Sequence, residues 1–488
     1  MPSMFTLTPK LAFLVVLYSI TLFTVLRIIM DSRNPSKALG YLVLAITVPI
    51  IGAIVYFSFG VNYRKKRIYN KKLIANDRLL LRIRERIITT THQILESNPH
   101  KLDGQQDMVN LLLNDSFEPL SSNKVTLLIN GESKFPEVLA ELEHATQTIH
   151  IEYYIYEDDV IGNRLKEVLM RKAREGVKVR FIYDDFGSRG LKRKFFREMD
   201  AAGVESFPFF KVHLPFIASR LNYRNHRKII VIDGHVGFVG GINVADHYLN
   251  DLPGQSLFWR DTHIKISGPA VQSLQYHFLA DWNFCSQQDL PPDTTIFPDS
   301  ARMPKGDSLV QIVASGPDYP RASIMLCYFT AIVNARKRVY ITSPYFIPNN
   351  SINDAIKKAA LSGKDVRLLV PLESDLRFVN AASRSYYQEL LECGVKIYRY
   401  KKGFVHAKTI VSDDNLAIVG TANIDFRSFE FNFEVGAVVY GERICAELTA
   451  QFLEDQAQSE ELTLEMLIAR SWLDHVMDKA ARLFSPLL

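Results

Sequence analysis

Two long apolar runs open the chain, and nothing after them has the same pattern. Residues 11–30 (LAFLVVLYSITLFTVLRIIM) and 39–60 (LGYLVLAITVPIIGAIVYFSFG) each approach the ~20 apolar residues that carry a helix across a bilayer core. The first is too long for the core of a cleaved leader and lacks a clear small-x-small cleavage site. Followed at once by a second, it predicts a membrane hairpin with helices at about 11–30 and 39–60. Arg27 lies near one end of the first run, where it can snorkel to the interface. Residues 61–72 (VNYRKKRIYNKK) are a basic collar with Arg64, Lys65, Lys66, Arg67, Lys71 and Lys72 and no acid. The short turn between the runs has Arg33 and Lys37 beside Asp31. Cationic flanks stay in the cytoplasm. Everything beyond Gly60 is therefore expected there and, with a hairpin, so is the N-terminus. The collar also suits anionic lipid head groups.

Beyond this membrane unit (1–72) the pattern changes. Residues 73–120 are charged and helical in period, a connector. A strand and turn over Val125–Gly131 precede an amphipathic helix near Pro136–Thr146. Then two halves run in parallel. TIHIEYYIY (148–156) matches RVYITSPYFI (338–347), and GVKVRFIYDDFGS (176–188) matches GKDVRLLVPLESD (363–375), with a helix between the two in each half. Short β-branched runs alternating with helices predict an α/β fold around a mainly parallel sheet. The first repeat spans 121–285 and the second 307–460; 286–306 is a linker with Pro291, Pro292, Pro298 and Pro304. Residues 461–488 have a helical apolar period, and this C-terminal amphipathic helix suits packing on the globular domain or lying on the membrane surface.

Length and composition narrow the classes. A chain of 488 residues should hold more than one domain, and 47% apolar content allows an ordinary core. A net charge of +5 is too modest to argue for nucleic acid. The basic tract SRGLKRKFFRE (188–198) fits anionic lipid or a solvated helix face. Cys285, Cys327, Cys393 and Cys445 are far apart without zinc spacing, so free thiols and no metal are expected.

The chemistry is written twice. His226, Lys228 and Asp233 are followed by Asn243, and His406, Lys408 and Asp413 are followed by Asn423, with the same spacing in both copies. One such motif arises by chance; two with a shared Gly three residues before the Asn indicate a duplicated unit that completes one site from two halves. In an extended segment His and Lys two residues apart face one side. A phosphodiester resists attack because its oxygens repel nucleophiles and its alkoxide leaves poorly. Lys228 and Lys408, with Asn243 and Asn423, can bind the oxygens. One neutral imidazole can attack phosphorus while the other protonates the departing oxygen and later deprotonates the incoming hydroxyl. Asp233 and Asp413 belong to the catalytic motif but are expected to hold a turn or bridge to a lysine. Each imidazole needs an acceptor on its other nitrogen; Asp261 in FWRDTHIKI and Glu434 in FEFNFEVG, on the strands after each motif, are the candidates. His150 and His263 read as core.

Both motifs match the HKD motif of the phospholipase D superfamily. RNHRKIIVIDG, FVGGIN, WRDTHIKISGPAV, QIVASGPD, TSPYFIP and the terminal SPLL, with the double membrane segment, resemble the bacterial cardiolipin synthases of that superfamily over nearly the whole chain. The resemblance implies two phospholipase D-type repeats about a pseudo-twofold axis. It also implies transfer of a phosphatidyl group between two phosphatidylglycerol molecules without metal or other cofactor, at the inner membrane of a bacterium in a multi-pass protein. By the same analogy His226 is the nucleophile. Gly241 and Thr421 replace the Ser often found two residues before the Asn, and Asn349 stands where an acid is common.

Other readings have less support. A hydrolytic phospholipase D would use the same site with water as acceptor, and phosphatidylserine synthase another alcohol. A nuclease has little use for membrane helices, a silent scaffold would not keep both histidines, and the aspartate-rich metal motif of CDP-alcohol phosphotransferases is not found in the sequence.

Overall fold

The computed structural model describes residues 8–31, 35–57, 87–211 and 223–485, apart from Ser256, Pro292 and Asp375. The N-terminal helices form one unit, and residues 87–211 with 224–485 form another. The basic collar, the first part of the connector and the terminal Pro486–Leu488 lie outside the described residues.

In the N-terminal unit α1 (Pro9–Asp31) is a 23-residue apolar helix. At ~1.5 Å per residue it is about 35 Å long, enough to cross a ~30 Å hydrocarbon core. Among the described residues it is the one helix long and apolar enough to do so. The second run departs from the expected single helix over 39–60. It forms α2 (Pro35–Thr47) and α3 (Pro49–Val55), broken at Val48 with φ −133° and ψ 74°. Pro49 lacks an N–H and disfavours helical backbone at the residue before it. The bend is sharp. A Cβ on Gly52 would lie 2.4 Å from the Ala45 Cα, so only glycine fits there. The Tyr56 ring is 5.6 Å from that of Tyr41, whereas a straight helix would separate these residues by ~20 Å. The Tyr56 hydroxyl donates to Asp31 at 3.3 Å, and Phe57 stacks on Phe23 at 6.1 Å. α3 thus folds back along α2 and ends beside the last turn of α1. Hydropathy alone read a second span where Pro and Gly make a fold-back.

The larger unit is built on one sheet. The first half supplies β1 (Ser121–Ile129), β2 (Thr148–Tyr153), β3 (Lys178–Asp184), β4 (Glu205–Phe209), β5 (Ile229–Ile232), β6 (Val236–Gly240), β7 (Phe258–Arg260) and β8 (Thr262–Ser267). The second supplies β9 (Ser308–Ser315), β10 (Arg338–Thr342), β11 (Phe346–Ile347), β12 (Asp365–Pro371), β13 (Lys396–Tyr400), β14 (Gly403–Val405), β15 (Thr409–Ser412), β16 (Leu416–Gly420), β17 (Ile424–Asp425), β18 (Glu434–Tyr440) and β19 (Ser459–Leu462). The order β13-β12-β10-β15-β16-β18-β9-β1-β8-β6-β5-β2-β3-β4 reads the same from either end, with β1 against β9 at the centre and β19 added at one edge. That is the α/β duplication expected. The sheet is not mainly parallel, however. Only β2-β3-β4 and β10-β12-β13 pair in parallel. The motif strands are tight hairpins, β5 with β6 and β15 with β16, and a three-residue turn forces antiparallel pairing.

Burial follows from the pattern. β5 (IIVI) and β15 (TIVS) are buried along their whole length, as strands covered on both faces by helices must be. In the C-terminal segment the helix Trp472–Leu483 packs on the helix Arg377–Glu392 through Arg384–Asp478 and Arg482–Glu389 ion pairs. Trp472, Leu473, Met477 and Leu483 stay exposed on its outer face.

Candidate active site

The backbone brings the two halves together at the ends of β5 and β15. The segment before β5 is stitched to the second half: Phe433 N–H donates to the Arg224 carbonyl and His226 N–H to the Phe433 carbonyl, at 2.8 and 2.9 Å. The segment before β15 is stitched to the first: β14 pairs with β7, and His406 N–H donates to the Arg260 carbonyl at 2.7 Å. Each histidine therefore sits one residue from the other half's carboxylate-bearing strand. His226 Nδ1 is 3.0 Å from Glu434, and His406 Nδ1 is 2.7 Å from Asp261. Sequence reasoning found all four residues. It did not find that each carboxylate serves the opposite histidine, because that pairing spans 208 and 145 residues.

With Nδ1–H donated to a carboxylate, Nε2 is left for chemistry. Burial, then Lys408, lowers His406 to about 3 despite Asp261. Burial also lowers His226, partly offset by Glu434. Burial alone would raise Asp261, but Lys408 and His406 outweigh it and hold it below its usual range; His226 and Lys228 do the same for Glu434. Both histidine shifts favour the neutral imidazole over the imidazolium beside each carboxylate.

The lysines complete the cluster. Lys228 Nζ donates to the His226 carbonyl at 2.8 Å, and Lys408 Nζ to the His406 carbonyl. Burial lowers Lys228 to about 7, with Glu434 opposing and Lys408 adding to the fall. Two buried cations facing each other repel until an anion arrives. Asn243 donates to the Tyr248 hydroxyl at 2.8 Å, and that hydroxyl is 3.3 Å from His406 Nδ1. Asn423 donates to Asp425 at 3.0 Å.

Asp233 and Asp413 do not join the cluster. They follow β5 and β15, at the opposite ends from His and Lys, and a four-residue strand is ~13 Å long. Asp233 accepts from the N–H groups of Thr146, Gln147 and Thr148, and Asp413 from those of Arg336, Lys337 and Arg338. Both sit at positive φ, 48° and 54°, where Asp is among the more tolerated residues. They tie the hairpin turns to the starts of β2 and β10. Counting them with the catalytic side chains is corrected on that ground.

Several residues escaped the sequence reading. Arg227, between His226 and Lys228, is buried, pairs with Asp281 and donates to the Glu434 carbonyl. Lys134 is buried and donates to the Ile242 carbonyl at 2.8 Å, bracing the Asn243 segment. Tyr154 lies edge-on to His226 at 4.7 Å, and Trp259 and Phe404 lie 5.6 and 5.9 Å from His406. A lone Lys or aromatic in a strand-rich sequence carries no signal of this. Gly241 has a clear reason: a Cβ would stand 2.2 Å from the Asp261 carboxylate. Its counterpart Thr421 instead donates its hydroxyl to Glu434. Asn349 caps the helix Asn350–Leu361, accepting from Ile352 N–H. His150 is core, stacked on Phe278 and bonded to Gln275. The described residues contain no group of three or more His, Cys, Asp and Glu side chains placed to hold a metal ion.

The chain resembles known proteins in sequence and in fold. The family described as cardiolipin synthase, PLD-like domain, matches residues 138–282 and 328–456, and the one described as phospholipase D-nuclease N-terminal matches 16–60. The cardiolipin synthase of Halalkalibacterium halodurans is 42% identical over 98% of this chain and 94% of its own length. That of Geobacillus kaustophilus is 44% identical over 96% and 92%. The phosphatidylserine synthase of Haemophilus influenzae Rd KW20 shares the fold, with a TM-score of 0.59 over 78% of this chain and 100% of its own at 14% identity. The paired His-Lys half-sites on a duplicated sheet, matched over nearly the full length of such relatives, place the chain in the cardiolipin synthase family of phosphatidyltransferases.

Proposed function

We propose that the chain joins two phosphatidylglycerol molecules into cardiolipin and glycerol through a phosphatidyl-histidine intermediate. The observation that carries this is the crosswise pair of imidazoles, each fixed by the other half's carboxylate, with a buried lysine bonded to the backbone of each histidine. Lys228, Lys408, Asn243 and Asn423 hold the nonbridging oxygens. One Nε2 attacks phosphorus and the P–O bond to the departing glycerol breaks, while the other imidazolium gives that oxygen its proton. The second lipid's hydroxyl then gives its proton to the same imidazole and attacks phosphorus, and the P–N bond breaks. The bound phosphate's negative charge raises the acid imidazole and so offsets the lowering by burial, which lets that ring act as a proton donor. Glu434 and Asp261 orient the rings; Asp233 and Asp413 hold the turns. These steps use imidazole, ammonium and amide groups alone, so chelation should leave activity intact. Purified enzyme with phosphatidylglycerol as sole lipid tests the reading: cardiolipin and glycerol in equal amounts support it, and phosphatidic acid as main product selects a hydrolase.

We also propose that the catalytic unit works at the cytoplasmic face of a bacterial inner membrane, held there by the N-terminal unit. The collar's cations favour that side. A multi-pass protein needs α2 and α3 to make one span. Their fold-back favours a single crossing by α1, with α2 and α3, ~20 and ~10 Å long, wedged in one leaflet. Charge agrees: Arg27, Arg33 and Lys37 flank the C-terminal end of α1, against Lys10 at its start. A protease-sensitive tag before Met1, probed from outside on right-side-out vesicles, should be cut. Protection there with cutting in inverted vesicles would restore the two-span hairpin.

A further inference from the structure

The two half-sites share their skeleton but differ two residues before each histidine. The first reads Arg224-x-His226-x-Lys228 and the second Phe404-x-His406-x-Lys408. Arg224 is buried, 5% exposed, and its Nη1 has no hydrogen-bond partner among the described residues. An unmet guanidinium donor away from water is costly, and a site that keeps one is suited to an anion. Asp184, Tyr154 and Asp185 act on Arg224 as acids, and Arg427 as a second cation. Asp184 is already taken up by the backbone N–H groups of Phe186, Gly187 and Asn225. The Arg224 guanidinium lies 4.4 Å over the Phe186 ring, and Arg189 approaches the same ring at 5.5 Å. Phe186 is 42% exposed, so this cluster opens to the surface. Tyr154 links the cluster to the reacting groups: its ring meets His226 edge-on, Lys228 Nζ lies 5.5 Å from the ring centre, and both Arg224 and Arg427 act on its hydroxyl. Around His406 the equivalent space is aromatic, with Phe404 packed on Trp259 at 4.9 Å.

We infer that Arg224, with Arg427, binds the phosphate of the second, acceptor lipid on the His226 side of the site. The inference rests on the transfer reading above and deepens it. The reacting phosphate takes up the charge of Lys228 and Lys408, so a further phosphate site is needed only because the acceptor is itself a phosphodiester. Its attacking hydroxyl is three carbons from its phosphate, which matches a cation pair set one aromatic ring away from the histidines. Attack and departure are in line at phosphorus, so the acceptor enters where glycerol left, opposite the nucleophile. An acceptor on the His226 side makes His226 the acid and base and His406 the nucleophile, the reverse of the assignment that family resemblance implies. His406 Nε2 forms the P–N bond as the P–O bond to glycerol breaks and His226 gives the proton. The acceptor hydroxyl returns a proton to His226 and restores the His406 lone pair.

The test uses full-length enzyme, phosphatidylglycerol donor and labelled glycerol as competing acceptor. R224Q should lower the ratio of cardiolipin to labelled-glycerol exchange by about 10–100-fold, the loss of a hydrogen bond to a charged group. R427Q should lower it less, and R224K should restore part of it. The ratio does not depend on how much enzyme is folded, so an unchanged ratio in R224Q and R427Q overturns the site. Soluble glycerol 3-phosphate should compete better than glycerol for wild type and lose that advantage in R224Q. If inorganic phosphate alone inhibits through Arg224 while the acceptor ratio holds, the site binds free phosphate and the acceptor role fails. Quenching with labelled donor should leave label on H226A and none on H406A; the opposite pattern overturns the assignment of the nucleophile. If wild type makes no cardiolipin, the transfer reading itself has failed, a result separate from an unchanged ratio.

Discussion

The two halves of the catalytic unit are most instructive where they differ. Strand order, hairpin turns and the spacing of His, Lys, Asp and Asn are held in common. The lining is not. Gly241 faces Asp261 where Thr421 bonds Glu434; Arg224 stands where the second half has Phe404. Lys134 braces the Asn243 segment where the helix of the second half buries Ile324. Duplication gives two half-sites with the same skeleton, and their neighbours differ; the acceptor site proposed above assigns that difference a separate task for each half. Two identical halves would present one surface to donor and acceptor alike.

The largest effects should come from the shared skeleton. H226A and H406A should each abolish cardiolipin formation, since acid–base catalysis alone contributes ~10²–10⁴-fold and the nucleophile cannot be bypassed. Product analysis by thin-layer chromatography checks this, and appreciable turnover by either variant would break the one-site reading. E434Q and D261N keep the shape but lose the charge that sets ring orientation, and kcat should fall by about 10²–10⁴-fold in each. If either carboxylate served its own half's histidine, E434Q would shift the titration of His406 and not His226; [15N]histidine spectra decide that.

Smaller effects sharpen the difference between halves. G241A drives a methyl into Asp261, and a misplacement of about 1 Å can cost ~10²-fold. T421V removes a hydroxyl that donates to Glu434 and accepts from the Val435 N–H, so a loss of about tenfold is expected. A G241A enzyme of normal activity would contradict the close approach. The pH profile follows from Lys228, which burial lowers to about 7. Its cation is present below that pH and lost above it. KM for phosphatidylglycerol should therefore rise on the alkaline side of about pH 7, while kcat holds further because bound phosphate raises the lysine. The weakest effect on chemistry should come from D233A. It leaves backbone N–H groups of the β2 turn unpaired and should lower stability by about 1–3 kcal/mol with kcat changed less than about threefold.

How much of this was legible in the sequence depended on the range of each interaction. The His-Lys-Asn sets were visible because duplication removes chance; Asp233 and Asp413 were expected to hold a turn or bridge to a lysine, and it is backbone N–H groups at the turns that they bind. The crosswise pairs were not visible: Glu434 lies just beyond its own half's motif in the chain but is brought to the other half's histidine by the Phe433 backbone bonds. Hydropathy predicts one helix over 39–60, because it does not register that Pro49 breaks the helix and Gly52 lets its two parts close up. The mainly parallel sheet was expected from strand-helix alternation, which is true of β2-β3-β4 but not of the motif hairpins. Arg224 gave no signal, since one arginine beside a motif is ordinary until its donor is seen to be buried and unmatched.

The central claim is that the two histidines act in turn on one phosphate. The stereochemical course at phosphorus tests it most directly, using phosphatidylglycerol made chiral at phosphorus by sulfur and an oxygen isotope. Two displacements through a phosphatidyl-histidine give net retention, the result predicted. Inversion would mean that the acceptor attacks the lipid directly and would contradict the account.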